Sequence, residues 1–205
     1  DTGNSYASGD KIDLQLPESQ RILLEAVKET GKPFILLVMA GSAMDLCYAS
    51  EHANAILQPW YPGARGGKEI AEMLFGEISP SGKLPITLYR NTNDLPSFED
   101  YSMKGRTYRY IETQPLYPFG YGLTYSKVAV KDASVSGATT YEEAKNGVTV
   151  KADVKNEGSF ATDEVVQVYV RVEGSENEVL NTKLAAFARV HLAAGEEKEV
   201  ELKIS

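Results

Sequence analysis

Residues Leu57–Tyr89 read LQPWYPGARGGKEIAEMLFGEISPSGKLPITLY, and the order of signals in this stretch decides the fold class. A Pro-Gly turn comes first, followed by a helical pattern that starts at Gly66 and Gly67 and ends at Gly76. A second turn, PSG, leads into KLPITLY, which predicts a strand. A strand that follows a helix after a short turn indicates a crossover unit of a mostly parallel sheet.

The chain before this stretch shows the same alternation. Residues Pro33–Ala40 form a continuous apolar run of strand length, which is typical of a strand covered on both faces. One helix is predicted from Pro17 to Gly31 and another over Ala43–Ala53, and AILQPW predicts a further short strand. The pattern therefore predicts an open, mostly parallel α/β sandwich. Because such sheets usually have about four to six strands, we expect part of the sheet upstream of Asp1.

From Lys127 onward only strand periodicity remains. The segments GVTVKADVKNEG, EVVQVYVRV and EVELKIS each alternate apolar and polar residues, and turn signals separate them. Roughly five strand signals predict an antiparallel β-sandwich of immunoglobulin type, a fold that has about seven strands when complete. We therefore expect an incomplete sandwich whose further strands follow Ser205. The sequence predicts two domains, residues 1–125 and residues 126–205.

Composition limits the partners and the compartment. The formal net charge of -8 argues against nucleic acid and against an anionic membrane as partners, because both would need a basic face. No apolar run approaches the roughly 18 to 20 residues of a membrane span. Cys47 is the single cysteine, which favours a reducing, cytoplasmic compartment. The two histidines, His52 and His191, lie in no motif with metal-ligand spacing, so neither a metal nor a cofactor is predicted.

Several long segments resemble glycoside hydrolase family 3. The stretch from LQPW to PITLY resembles the α/β-sandwich domain of this family, in which a WYPG turn, a GG-initiated helix, LFG and PSGKLP recur in this order. The segments LPESQRILLEAVKETGKPFILLVMAG and YRYIETQPLYPFGYGLTY look like the preceding and the exit segments of that domain. The segments VKNEGSFATDEVVQVYV and LAAFARVHLAAGEEKEVEL are similar to the fibronectin type III-like domain that follows it. The resemblance implies an α/β plus all-β fold, a partial open mostly parallel α/β sandwich followed by an incomplete immunoglobulin/fibronectin III-like β-sandwich.

The resemblance also implies an activity, which is retaining hydrolysis of terminal β-linked glucose or xylose from glycosides and oligosaccharides. Retaining hydrolysis needs two carboxyl groups about 5 to 5.5 Å apart. In the family the nucleophile is an Asp of an N-terminal (β/α)8 barrel, which no segment here resembles. The acid/base is expected in an acidic segment upstream of Asp1. No catalytic residue is therefore assigned, Asp10 fits a loop-capping carboxylate better than a catalytic acid, and the chain alone is expected to be inactive.

Four residues are predicted to contribute to substrate binding, namely Ser42, Tyr101, Met103 and Arg106. The segment PSFEDYSMKGRTYRY resembles a family loop that approaches the sugar site of the barrel, which implies the last three residues. A role of these three at a domain interface is the alternative. Ser42 follows the predicted buried strand, at the end where open α/β sheets bind ligands. A cap on the next helix is the alternative for Ser42.

The expected partners are a carbohydrate substrate and the (β/α)8 barrel, as a domain or as a separate chain. A homo-oligomer is a further candidate, because faces that dock a barrel would be apolar. Two other functions fit the same residues: a non-catalytic carbohydrate-binding or assembly module, and one chain of a split or nicked enzyme. Sugar binding by the chain alone favours the module, whereas activity restored by a barrel chain favours the split enzyme.

Overall fold

The computed structural model describes residues 11–137, 140–145, 147–174 and 180–204. The described chain divides into two compact units. The first comprises the described residues up to Ala71 together with Pro85–Phe119, and the second comprises Glu72–Leu84 together with the described residues from Gly120 onward. Helices and parallel strands characterise the first unit and antiparallel strands the second. The predicted fold class, α/β plus all-β, is confirmed.

The elements before Val128 follow the predicted alternation at shorter lengths. In chain order they are α1 (Glu18–Glu29), β1 (Ile35–Leu37), α2 (Cys47–His52), β2 (Ala55–Leu57), α3 (Gly66–Leu74), a 3₁₀ turn (Thr92–Asp94) and α4 (Thr107–Tyr110). The helix predicted from Ala43 begins only at Cys47, because the preceding residues form a bend and an irregular segment that leads away from β1.

Strands β1 and β2 form the parallel pair that the sequence predicts. Ile35 lies opposite Ala55 and Leu37 lies opposite Leu57. The ladder continues for one more bond, since the Val38 N–H donates to the Leu57 carbonyl oxygen at 2.9 Å. The carboxyl ends of both strands therefore open toward the same edge of the sheet.

The strand predicted over residues 83–89 is wrong. Leu88 forms an isolated antiparallel bridge to Tyr117 and joins no sheet with β1 and β2. The physical reason is Pro85, which has no N–H and interrupts the row of donors that a sheet strand needs. The segment instead uses single backbone bonds, such as Leu88 N–H to Tyr117 O at 2.9 Å.

A small core organises the first unit around Tyr89. Leu14, Tyr89 and Ile111 are buried together, with Ala43 and Leu95 packed against them. The backbone near Leu14 is fixed at both sides of this cluster, because its N–H donates to Thr92 Oγ1 at 3.0 Å and its carbonyl accepts from the Asp45 N–H at 2.7 Å. Helix α1 contributes less, since Leu24 is its one buried residue within the described chain.

The second unit is built from five antiparallel strands among its described residues, as the sequence predicts. They are β3 (Val128–Ser136), β4 (Val148–Asn156), β5 (Thr162–Val170), β6 (Lys183–Leu192) and β7 (Glu197–Ile204), with a short helix α5 (Tyr141–Ala144) between β3 and β4. One sheet has the order β3-β4-β7 and the other pairs β5 with β6. Their inner faces share a core of Val154, Val166, Leu192 and Leu202.

Asn156 ties the end of β4 to its surroundings. Its side chain is fully buried, and its amide nitrogen donates to the carbonyl oxygens of Phe160, Leu192 and Ala193 at 2.7, 3.3 and 3.1 Å. Its amide oxygen accepts from Ser126 Oγ at 2.5 Å and from the Gly158 N–H at 3.0 Å. A buried amide is stable only when its polar atoms are bonded, and this one is. The Asn156-Glu157-Gly158 turn predicted from the sequence is thus fixed by its first residue.

Candidate functional site

The loop at residues 97–103 carries two of the predicted site residues, and both project into solvent. Tyr101 is 90% exposed and Met103 is 47% exposed. The neighbouring Phe98 is 63% exposed as well. Large apolar side chains at such exposure form a surface suited to another molecule or another domain.

Arg106, the third predicted residue in this region, turns back onto the loop. Its Nη2 donates to the carbonyl oxygens of Ser97 at 2.9 Å and Asp100 at 2.5 Å. Its Nε donates to the carbonyl oxygen of Ser102 at 3.1 Å. The side chain therefore organises the backbone of the 97–103 loop, which sequence reasoning did not anticipate.

Local turns support the same loop. Asp100 Oδ1 accepts from the Ser102 N–H at 2.8 Å, and the Asp100 N–H donates to Ser97 O at 3.0 Å. Hydrogen bonds from the backbone and side chain of Ser102 lower the pKa of the Asp100 carboxyl, and the charge of Arg106 acts in the same direction. Asp100 is thus held as an ionised acceptor, whereas a general acid needs a raised pKa.

The base of the loop is anchored to the core through Thr107. Its N–H donates to the Tyr89 hydroxyl oxygen at 3.1 Å, and Tyr89 belongs to the buried cluster of the first unit. Thr107 has φ 55, a left-handed value that is unusual for a β-branched residue. The strained residue lies directly after Arg106 and opens α4. No pattern in the sequence predicts this conformation.

A hollow of about 290 Å³ lies beside the loop. None of the four predicted site residues lines it. Its ionisable groups are three carboxylates and one ammonium group. The lining residues are Asp94, Pro96, Asp100, Lys104, Gly105, Ile111, Glu112 and Thr113.

Ser42 lies elsewhere in the first unit, in the bend that follows β1. Its hydroxyl oxygen is buried and makes no hydrogen bond among the described residues. The N-cap residue of α2 is Leu46, which makes no side-chain cap hydrogen bond, and the N–H of the first helical residue, Cys47, donates to Asp45 Oδ1 at 3.0 Å. The helix-cap alternative for Ser42 is therefore wrong, and its hydroxyl stays free for an acceptor or donor from outside the described chain.

The ends of β1 and β2 are held together next to Ser42. Gln58 Nε2 donates to the Ala40 carbonyl oxygen at 2.9 Å. Gly41 lies against the ring of Tyr61, since a β-carbon there would come within 2.8 Å of Tyr61 Cζ and Oη. Trp60, between Gln58 and Tyr61, has φ 54. The WYPG turn thus places an aromatic side chain over the strand end that carries Ser42.

The described ranges contain neither a candidate metal site nor a candidate membrane-spanning helix. There, no group of three or more His, Cys, Asp and Glu side chains is arranged to hold a metal ion. Nor does that part of the chain contain a helix that is both long and apolar enough to cross a membrane.

Family models match most of the chain. The model for the glycosyl hydrolase family 3 C-terminal domain matches residues 2–125, and the model for the fibronectin type III-like domain matches residues 164–205. Xylan 1,4-beta-xylosidase of Xylanibacter ruminicola is 40% identical over 202 residues, which cover 98% of this chain and 22% of that protein. Periplasmic beta-glucosidase of Salmonella typhimurium is 35% identical over 98% of this chain and 28% of its own length.

Solved structures give the same result. The glycoside hydrolase family 3 beta-glucosidase of Bifidobacterium adolescentis aligns with a TM-score of 0.85 and 30% identity, covering 98% of this chain and 31% of that chain. The beta-D-glucoside glucohydrolase of Trichoderma reesei aligns with a TM-score of 0.84 and 26% identity, covering 100% of this chain and 33% of that chain. The present chain spans about a fifth to a third of the length of these proteins. With both domain models matched in the expected order, the chain belongs to glycoside hydrolase family 3.

Proposed function

We propose that this chain is the C-terminal, non-nucleophilic part of a retaining β-glycosidase that removes terminal β-linked glucose or xylose from glycosides and oligosaccharides. The relatives named above include both a β-xylosidase and β-glucosidases, which supports this pair of sugars. The nucleophilic carboxylate is supplied by a (β/α)8 barrel, as a domain or as a partner chain. The described residues carry no Asp or Glu among their buried side chains.

The observation that carries the proposal is the exposed aromatic and thioether pair on the 97–103 loop. Tyr101 and Met103 project from an ordered loop that belongs to the matched family domain. Aromatic rings pack against the apolar faces of pyranose rings, and a thioether adapts its shape to an irregular surface. We assign these two residues to the wall of the sugar pocket that the barrel completes.

Ser42 is the second proposed contributor. Its buried hydroxyl lacks a partner in the described chain and follows β1 at the carboxyl end of the parallel pair. Open α/β sheets bind ligands at that end. A sugar hydroxyl, or a polar group of the barrel, would satisfy the Ser42 Oγ.

The test is an activity assay on the longer protein that contains this chain, with aryl β-glucoside and aryl β-xyloside as substrates. We expect hydrolysis in which NMR shows the β-anomer as the first product, which is the signature of retention. Tyr101→Ala and Met103→Ala should raise KM more than they lower kcat, because both act in binding. Inversion, or no hydrolysis of either substrate, would refute the proposal.

Sugar binding by the chain alone distinguishes this function from that of a carbohydrate-binding module. Calorimetry with glucose, xylose and cellobiose should give no binding at millimolar sugar, because the pocket lacks its barrel side. Millimolar or tighter binding by the chain alone would instead identify a carbohydrate-binding module.

A further inference from the structure

Arg106 directs most of its side-chain donors at the backbone of its own loop. Three of its five N–H groups are engaged by carbonyl oxygens of the 97–103 loop, two through Nη2 and one through Nε. A guanidinium recognises a ligand in bidentate fashion through two neighbouring nitrogens, either Nη1 and Nη2 or Nε and Nη2. Both of these edges include Nη2. Both hydrogens of Nη2 are donated to the carbonyl oxygens of Ser97 and Asp100. Neither edge is therefore open to bidentate binding of a sugar.

The three bonds fix the backbone on both sides of Tyr101. The carbonyl of Asp100 precedes Tyr101 and the carbonyl of Ser102 follows it, and Arg106 holds both. Hydrogen bonds from a charged donor are stronger than those between neutral groups, and the planar guanidinium fixes their directions. The Tyr101 side chain is nevertheless 90% exposed. The result is an aromatic ring that projects into solvent from a rigid backbone.

The C-terminal end of the loop is fixed independently of the Arg106 side chain. The Arg106 N–H donates to the Met103 carbonyl oxygen at 3.0 Å, and the Thr107 N–H donates to the Tyr89 hydroxyl oxygen at 3.1 Å. Tyr89 is buried in the core of the unit. A rigid path therefore runs from the core through Thr107 and Arg106 to the backbone around Tyr101.

We propose that Arg106 is a positioning residue, which pre-orders Tyr101 for a pyranose ring without touching the sugar itself. The inference rests on the proposed function, because it takes Tyr101 as a wall of the sugar pocket. A pre-ordered loop loses less conformational entropy when the ligand binds, so affinity depends on the clamp. The sequence predicts that Arg106 contributes to substrate binding, and the proposal makes that contribution an indirect one.

A double-mutant cycle in the longer protein tests the proposal. Arg106→Ala should raise KM for the aryl glycoside about tenfold with kcat changed less than about threefold, because misplacement of a binding group weakens ground-state contact. Tyr101→Ala should have a similar effect. The double variant should be no worse than Tyr101→Ala, since Arg106 acts only through Tyr101. Arg106→Lys should fall in between, because an ammonium group cannot reproduce the planar fork.

Two kinetic outcomes would overturn the proposal. Additive KM effects of Arg106→Ala and Tyr101→Ala would mean that Arg106 affects sugar binding by a route other than Tyr101. An unchanged KM in Arg106→Ala would mean that the clamp serves stability alone. The matched control is Arg21→Ala, an exposed arginine on α1, which should leave both kinetic constants at the wild-type values.

Hydrogen exchange on the present chain tests whether Arg106 holds the loop, without any measurement of activity. In Arg106→Ala the Asp100 and Ser102 amides, which donate within the loop, should exchange at least about tenfold faster, as expected when a local structure opens more readily. Unchanged exchange would refute the clamp. A longer protein without glycosidase activity would refute the proposed function and the sugar role of Tyr101, while the exchange result would still decide whether Arg106 holds the loop.

Discussion

Pro62 occupies the space that a β-carbon on Gly66 would need: such an atom would lie 2.6 Å from Pro62 Cγ. The pyrrolidine ring is rigid, and Gly66 is buried at the first residue of α3. The neighbouring Gly67 has open space around the same position. The two glycines of the GG motif therefore have different structural roles.

Gly66→Ala should destabilise the protein by about 2 kcal/mol, because overpacking against a rigid ring forces a backbone shift. Gly67→Ala should instead be stabilising by about 0.5 kcal/mol, since alanine is a better helix residue and meets no neighbour. Urea unfolding of both variants measures the difference. Equal effects at the two positions would contradict the role assigned to the Pro62 contact.

Asn156→Ala should cost about 3 kcal/mol, because it removes five hydrogen bonds made by a fully buried side chain. Asn156→Asp should be at least as harmful, since a carboxylate has no N–H for the three carbonyls that the amide serves. Asn93→Ala, at an exposed residue of the 3₁₀ turn, should stay within about 0.5 kcal/mol of the wild type. Thermal unfolding of the three variants is the measurement, and a mild Asn156→Ala phenotype would refute the role of this residue.

Two features explain how far the sequence predicts the fold. The alternation in GVTVKADVKN and EVVQVYVRV depends on local residue order, and β4 and β5 form where it occurs. The strand prediction at residues 83–89 is wrong because one proline lacks the N–H that pairing needs, although the other residues of the segment favour a strand. Periodicity reports the average preference of a segment, whereas pairing depends on each N–H donor.

The site is less predictable than the fold. The loop resemblance implies a role of Tyr101 in substrate binding, but the direction of the Arg106 side chain depends on where three carbonyl oxygens lie in space. Thr107 has φ 55, a left-handed conformation that its side chain disfavours because it is β-branched. Such conformations are imposed by tertiary contacts, here the hydrogen bond to Tyr89, and no local pattern encodes them.

Thr107→Asn should stabilise the protein by about 1 kcal/mol, because asparagine tolerates a left-handed conformation that costs a threonine on that order. Thr113→Asn, at an exposed threonine outside the left-handed region, is the matched control and should change stability by less than about 0.5 kcal/mol. Chemical unfolding compares the two. A loss of stability in Thr107→Asn would show that the threonine is not strained.

Glu157 gives the second unit a pH dependence with a definite sign. Hydrogen bonds from Lys127 and Lys131, at 2.8 and 2.9 Å, together with their positive charges lower the pKa of the Glu157 carboxyl to about 2 from an ordinary 4.5. A lowered folded-state pKa stabilises the fold above pH 4.5, and this stabilisation is lost as pH falls from 4.5 to 2. The stability difference between wild type and Glu157→Gln should therefore shrink across that window.

Salt provides the control for this prediction. Because the three side chains are solvent-accessible, 1 M NaCl should reduce the difference between wild type and Glu157→Gln at pH 7. Unfolding by urea at several pH values gives both readings. A difference that grows below pH 4.5 would reverse the assigned sign.

The proposal that the barrel, and not the present chain, supplies the nucleophile is tested most directly by covalent trapping of the nucleophile. A 2-deoxy-2-fluoro glycoside with a good leaving group accumulates the glycosyl-enzyme intermediate of a retaining glycosidase, and peptide mass mapping locates the label. In the longer protein we predict a labelled Asp outside residues 1–205 and no labelling of the present chain by itself. A label on any carboxylate within these 205 residues would contradict the proposal that the nucleophile comes from the barrel.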